Sequence, residues 1–82
     1  MKITSPDALA QEIKNARKRR KLTQQVVSDQ IGVKQATISS FENHPERSRV
    51  ETLFKLLSAL DLELRVAKRG DTEQEAKWDQ EW

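Results

Sequence analysis

Only three residues, Gly32, Val33 and Lys34, separate two short segments that each carry a helical apolar pattern. Residues 24–31 place Val27 and Ile31 one turn apart, and residues 35–43 place Ile38 and Phe41 on a common face. Thr23 is positioned to cap the first segment and Gly32 to end it, because glycine adopts the left-handed backbone that closes a helix without a side-chain penalty. Two helices joined across so short a turn must meet at a steep angle. The rest of the chain has to pack against that corner.

The flanking segments read as further helices. Ser5 followed by Pro6 is a start signal, since serine caps free amides and proline is tolerated at the first helical position. The helix it opens runs to about Arg20, with Leu9, Ile13 and Ala16 on one face and the basic run 17–21 at its negative dipole end. Pro45 stops the helix that ends near Asn43. Ser48 with Glu51 three residues later forms an expected capping box for a last helix through Leu60, whose apolar stripe is Val50, Leu53, Phe54, Leu57 and Leu60. Residues 62–66 then alternate strictly, with Leu62, Leu64 and Val66 on one side and Glu63 and Arg65 on the other. This is the one strand candidate, and nothing else in the chain offers it a partner. A second copy related by a two-fold axis does, so Leu62, Leu64 and Val66 are expected to pair across a homodimer. The alternative is an extended tail packed over the helices.

At 82 residues, with no cysteine, the chain is one small domain with a thin core and neither a disulfide framework nor a thiolate metal site. No apolar run reaches the roughly 18 residues of a membrane span, and the opening residues lack the apolar centre of a signal peptide, so a cytoplasmic location is expected. Residues 1–66 hold 12 Lys and Arg against 8 Asp and Glu, a net +4, whereas residues 67–82 hold 3 against 5, a net −2. The expected division is therefore a basic folded domain, 1–66, and a flexible acidic tail, 67–82, each facing a different partner. No cofactor or catalytic set can be assembled from these residue types: His44 is the only histidine, and it adjoins a proline in a turn.

The helix of residues 35–43 carries an unusual outer face. Ala36, Ser39, Ser40 and Asn43 lie opposite Ile38 and Phe41, with Gln35 at the edge, and none of them is charged. The pattern of residues 22–43, with Thr23-Gln24 opening one helix, Gly32 at the turn and Gln35 with Thr37-Ile38-Ser39 in the next, resembles the helix-turn-helix of Cro/C1-type (lambda-repressor-like) DNA-binding domains. Within that superfamily the chain as a whole resembles the HipB-type antitoxins, in residues 34–39 followed by Phe41-Glu42-Asn43, in residues 52–64 and in Glu81-Trp82. Two departures stand out: Val26 occupies a usually polar position, and Ser28 a position usually held by alanine. A looser second helix is expected from them.

The resemblance implies a mainly α fold, a four-helix Cro/C1-type domain plus the short pairing strand, and a bacterial autorepressor that binds a palindromic double-stranded operator on the nucleoid and restrains a HipA-type serine/threonine kinase toxin. It also assigns a use to the uncharged face, since small side chains let a helix enter the major groove. Gln35 can pair with adenine, Ala36 can touch a thymine methyl, and Ser39 can meet either kind of base edge. Lys34 can reach guanine or phosphate, and Thr37, Ser40 and Asn43 complete the surface. Gln24, by the resemblance, binds a phosphate and steadies Gln35. Arg17 or Arg20 is a further phosphate candidate, the bland reading being a solvated helix end. Trp82, on an acidic tail with no core of its own, is the expected anchor for the kinase. The competing function is a protein-interaction adapter that kept the helical fold without DNA binding; an enzyme is a distant third.

Overall fold

In the computed structural model, which describes residues 2–69, the elements follow in chain order as α1 (Pro6–Arg19), α2 (Gln24–Ile31), α3 (Gln35–Asn43), a 3-10 turn (Pro45–Arg47) and α4 (Val50–Ala59). Local chemistry fixes most of these limits. The Ser5 hydroxyl accepts the Ala8 amide at 3.1 Å, and the Thr23 hydroxyl accepts the Val26 amide at 3.1 Å, so each cap satisfies a donor that its helix cannot. Gly32 ends α2 with φ +72, and a Cβ added there would meet nothing within 4 Å. Glycine is needed at this corner for its dihedral freedom and not for space.

Two other helices close with the same left-handed residue without using glycine. Lys21 has φ 57 and Asp61 φ 55. Beyond each, a leucine amide reaches back over the last turn: Leu22 donates to the Arg17 carbonyl at 3.1 Å and Leu62 to the Leu57 carbonyl at 2.8 Å.

Among the described residues the core is a single cluster. Ala10, Ile13 and Ala16 of α1 meet Val27 of α2, Ile38 and Phe41 of α3, and Leu56, Leu57 and Leu60 of α4. Its small size follows from the chain length. Of the two departures in α2, Ser28 is 1% exposed with its hydroxyl donating to the Gln25 carbonyl at 2.8 Å, so it fits the helix contact without an unpaired hydroxyl, whereas Val26 is exposed.

Among the described residues one charged pair joins this interior. The Arg17 Nε donates to Glu42 Oε2 at 2.7 Å and Nη2 to Oε1 at 3.1 Å, with the two side chains 10% and 2% exposed. Nη1 donates to the Leu22 carbonyl at 2.8 Å. Arg17 is therefore a buried clasp between α1 and α3, which removes it as a phosphate contact. Arg20 is exposed but donates to the Leu60 carbonyl at 3.3 Å, tying the end of α1 to the end of α4.

Other expectations need revision. The Ser48 capping box does not form: α4 begins at Val50 with Arg49 as its cap residue, and Ser48 instead closes the 3-10 turn by donating its amide to the Pro45 carbonyl at 3.0 Å. The 3-10 turn shifts the helix start by one residue, which releases Glu51 to pair with Lys55 at 3.3 Å. Val50 and Phe54, expected in the core stripe, are exposed, as are Leu62, Leu64 and Val66. Residues 62–66 carry no strand in the single chain, because a strand needs a second strand beside it and there is none among the described residues. Trp82 and most of the expected tail lie outside the described residues.

Removing one partner of a buried ion pair strands the other. Arg17→Met is expected to cost about 3–5 kcal/mol, read as a lowered urea midpoint. A midpoint matching wild type would show that the pair does not hold the helices together.

Candidate nucleic-acid interface

The corner between α2 and α3 brings the two glutamines face to face. Gln35, in the first turn of α3, donates its Nε2 to Gln24 Oε1 at 2.9 Å, and Gln24, in the first turn of α2, donates its own Nε2 to Glu42 Oε1 at 3.0 Å. A continuous hydrogen-bonded chain thus runs from the buried guanidinium of Arg17 through Glu42 and Gln24 to an exposed amide. The expected steadying of Gln35 by Gln24 matches this contact.

The candidates fall into three sets, one in each of two hollows and one in neither. Ala36, Thr37 and Ser40 line a shallow hollow together with Arg47, Ser48, Arg49 and Thr52. Gln24 and Gln35 line a second hollow with Arg17, Lys18, Lys21, Leu22, Thr23 and Gln25. Neither hollow contains an acidic residue, and each holds basic side chains beside hydroxyls or amides. Lys34, Ser39 and Asn43 line neither. Lys34 is the exposed cap residue of α3 with no side-chain capping bond, while Asn43 donates to the Ser39 hydroxyl at 3.2 Å along the helix. The first turn of α3 is therefore an uncharged, largely exposed ridge between two basic depressions. Such a profile suits a duplex whose major groove lies between two phosphate backbones.

Four cations of this surface were not singled out by sequence. Lys18 and Lys21 lay inside the run 17–21, where nothing but helical phase separates them from the buried Arg17. Arg47, the last residue of the 3-10 turn, and Arg49, the cap residue of α4, flank Ser48, and the sequence did not reveal that turn. Among the described residues no group of three or more His, Cys, Asp or Glu side chains can hold a metal ion, and no helix is long and apolar enough to cross a membrane.

This geometry defines a helix-turn-helix domain, and residues 13–66 match the helix-turn-helix family (HTH_3). The chain is 41% identical over 83 residues to antitoxin HipB of Escherichia coli O6:H1 (strain CFT073), spanning 99% of this chain and 88% of that protein. It is 40% identical to antitoxin HipB of Escherichia coli (strain K12), over 99% of this chain and 94% of that protein. Solved structures agree: HipB in an O4 20mer complex and HipB in a HipA-HipB-O2-O3 complex each superpose with a TM-score of 0.82 at 40% identity, covering 84% of this chain and 97% of theirs. The chain belongs to the HipB antitoxin family.

Proposed function

We propose that this chain is a sequence-specific DNA-binding autorepressor and antitoxin that binds an inverted repeat as a homodimer and neutralises a HipA-type serine/threonine kinase toxin in the bacterial cytoplasm. The observation that carries the DNA-binding part is the Gln24–Gln35 amide pair, held at 2.9 Å at the head of an uncharged helix face between two basic hollows. An adapter without DNA binding has no use for an amide fixed and exposed in this way. The antitoxin part rests on family membership and on a relative solved together with HipA.

In this reading α3 enters the major groove. Gln35 reads adenine, Ala36 contacts a thymine methyl, Ser39 meets a base edge, and Lys34, Thr37, Ser40 and Asn43 serve bases or backbone. Gln24, Lys18 and Lys21 hold one phosphate backbone and Arg47 and Arg49 the other. A half-site bound by one short helix is weak, which makes joining two copies the main requirement for affinity.

The joining surface is mostly but not wholly apolar. Ile3, Leu9, Val50, Leu53 and Leu64 line a groove of about 740 Å³ beside α4 whose rim also carries Arg49, Glu63 and Arg65, and Leu64 and Val66 are 46% and 69% exposed. Leu62, Leu64 and Val66 of one copy pair with the same residues of the other as an antiparallel ribbon, covering Val50 and Phe54. Residues 67–82 form the acidic tail, with Trp82 as the anchor for the kinase.

Three outcomes follow from this proposal. Gln35→Ala should lose on the order of 1–3 kcal/mol on the specific site and bind random DNA nearly as before, whereas Gln24→Ala should weaken both. Electrophoretic or fluorescence titration against both DNAs decides it, and equal losses for Gln35→Ala would make that residue a phosphate contact. Leu64→Pro should yield a monomer with weak operator binding, checked by sedimentation; an unchanged dimer mass would remove residues 62–66 from the interface. Deleting Glu81 and Trp82 should leave both properties intact and lower affinity for the purified kinase. Full kinase capture and neutralisation by the truncated chain would place the contact on the folded domain.

A further inference from the structure

The chain of hydrogen bonds that ends on Gln35 has a direction, and the direction is set from inside the protein. An ionised carboxylate accepts hydrogen bonds and donates none. Both Glu42 oxygens are engaged by Arg17, at 2.7 and 3.1 Å, and Oε1 also takes the Gln24 amide at 3.0 Å. Only the NH2 end of Gln24 can face Glu42, so its carbonyl must face Gln35. Only the NH2 end of Gln35 can answer that carbonyl, at 2.9 Å. One of its two N–H groups is thereby spent, and what remains for a ligand is one N–H and one carbonyl oxygen.

We infer that Glu42, buried and out of reach of DNA, is a positioning residue for base specificity: through Gln24 it locks the amide of Gln35 into a one-donor, one-acceptor state that accepts adenine and rejects guanine. The inference rests on the reading of Gln35 as a base-reading side chain. In the major groove adenine presents an acceptor, N7, beside a donor, the N6 amino group, whereas guanine presents two acceptors, N7 and O6. A locked Gln35 matches the first edge in both of its remaining groups. Against guanine its carbonyl oxygen would face O6, acceptor to acceptor, and leave both desolvated without a proton between them. An unlocked glutamine escapes this conflict, because it can rotate its amide and direct both N–H groups at the two guanine acceptors. The Arg17–Glu42 pair thus sets helix geometry and also sets which purine the exposed amide prefers.

Two variants separate this role from simple folding. Glu42→Gln is isosteric and replaces the acceptor-only group with one that can donate or accept, so Gln24 loses its fixed polarity. Gln24→Met keeps the Arg17–Glu42 pair and removes the relay. The probe is a short duplex carrying the site that the wild-type protein enriches from random-sequence DNA, together with its set of single A·T to G·C changes in one half-site. The readout is the affinity ratio of parent to changed duplex, which a uniform loss of stability or of phosphate contact does not move. For wild type the ratio at the base pair read by Gln35 is expected at roughly 5- to 100-fold, and for both variants, checked as folded by circular dichroism, within about threefold, with Gln35→Ala collapsing it as well. Wild-type ratios in both variants alongside a collapsed ratio for Gln35→Ala would overturn the relay alone. An undiminished ratio at every position for Gln35→Ala would overturn the base-reading role and the relay together.

Discussion

The geometry of this domain depends on one buried ion pair. Arg17 comes from α1, Glu42 from α3, and the carboxylate also receives Gln24 from α2, so three helices converge on a single anionic group. The third guanidinium nitrogen, Nη1, donates to the Leu22 carbonyl in the turn between α1 and α2. Burying such charges carries a desolvation cost that hydrophobic residues of similar volume avoid, so the pair is poorly explained as a source of stability alone. What it supplies is direction. Methyl groups can slide past one another, whereas a planar guanidinium bound in two places to a carboxylate fixes where α3 lies and how it is turned.

That fixed orientation compensates for a thin core. A cluster contributed by four short helices gives few independent contacts to define the angle at Gly32. Any rotation of α3 about its axis would carry Gln35 away from Gln24 and turn the uncharged ridge out of line with the basic hollows on either side. The same thinness leaves Val50, Phe54, Leu62, Leu64 and Val66 uncovered. In the proposed homodimer this surface is covered by a second copy, so incomplete burial in the single chain and the need for two recognition helices have one physical solution.

The parts legible in the sequence were those where one residue settles a local question. Ser5-Pro6, Thr23, Gly32 and Pro45 each fixed a boundary through a cap, a left-handed dihedral or a missing donor, and Ile38 with Phe41 assigned the inner face of α3. The parts that were not legible depended on a partner distant in sequence. Arg17 stands among five consecutive basic residues, and only its phase, four residues after Ile13 and one after Ala16, marked it as inward-facing; its acceptor, Glu42, is 25 residues away. Lys21 and Asp61 close their helices in a conformation that sequence reading assigns to glycine, because the backbone bonds from Leu22 and Leu62 and the packing around them outweigh the strain. The 3-10 turn after Pro45 moved the start of α4 past Ser48, and with it the meaning of Arg47 and Arg49. Gln35, Ala36, Ser40 and Asn43 of α3 are exposed, as the face read from the sequence requires, but the placing of Gln35 in one hollow and of Ala36, Thr37 and Ser40 in the other required the fold.

The central claim is that a fixed, uncharged face on α3 reads DNA sequence in duplicate. The most direct measurement is enrichment of binding sites from a random-sequence duplex pool by the purified full chain, followed by sequencing. The expected result is an inverted repeat whose half-site centres lie about 10 base pairs, or one helical turn, apart. A pool that emerges without sequence preference, or enriched in a single unrepeated half-site, would contradict it.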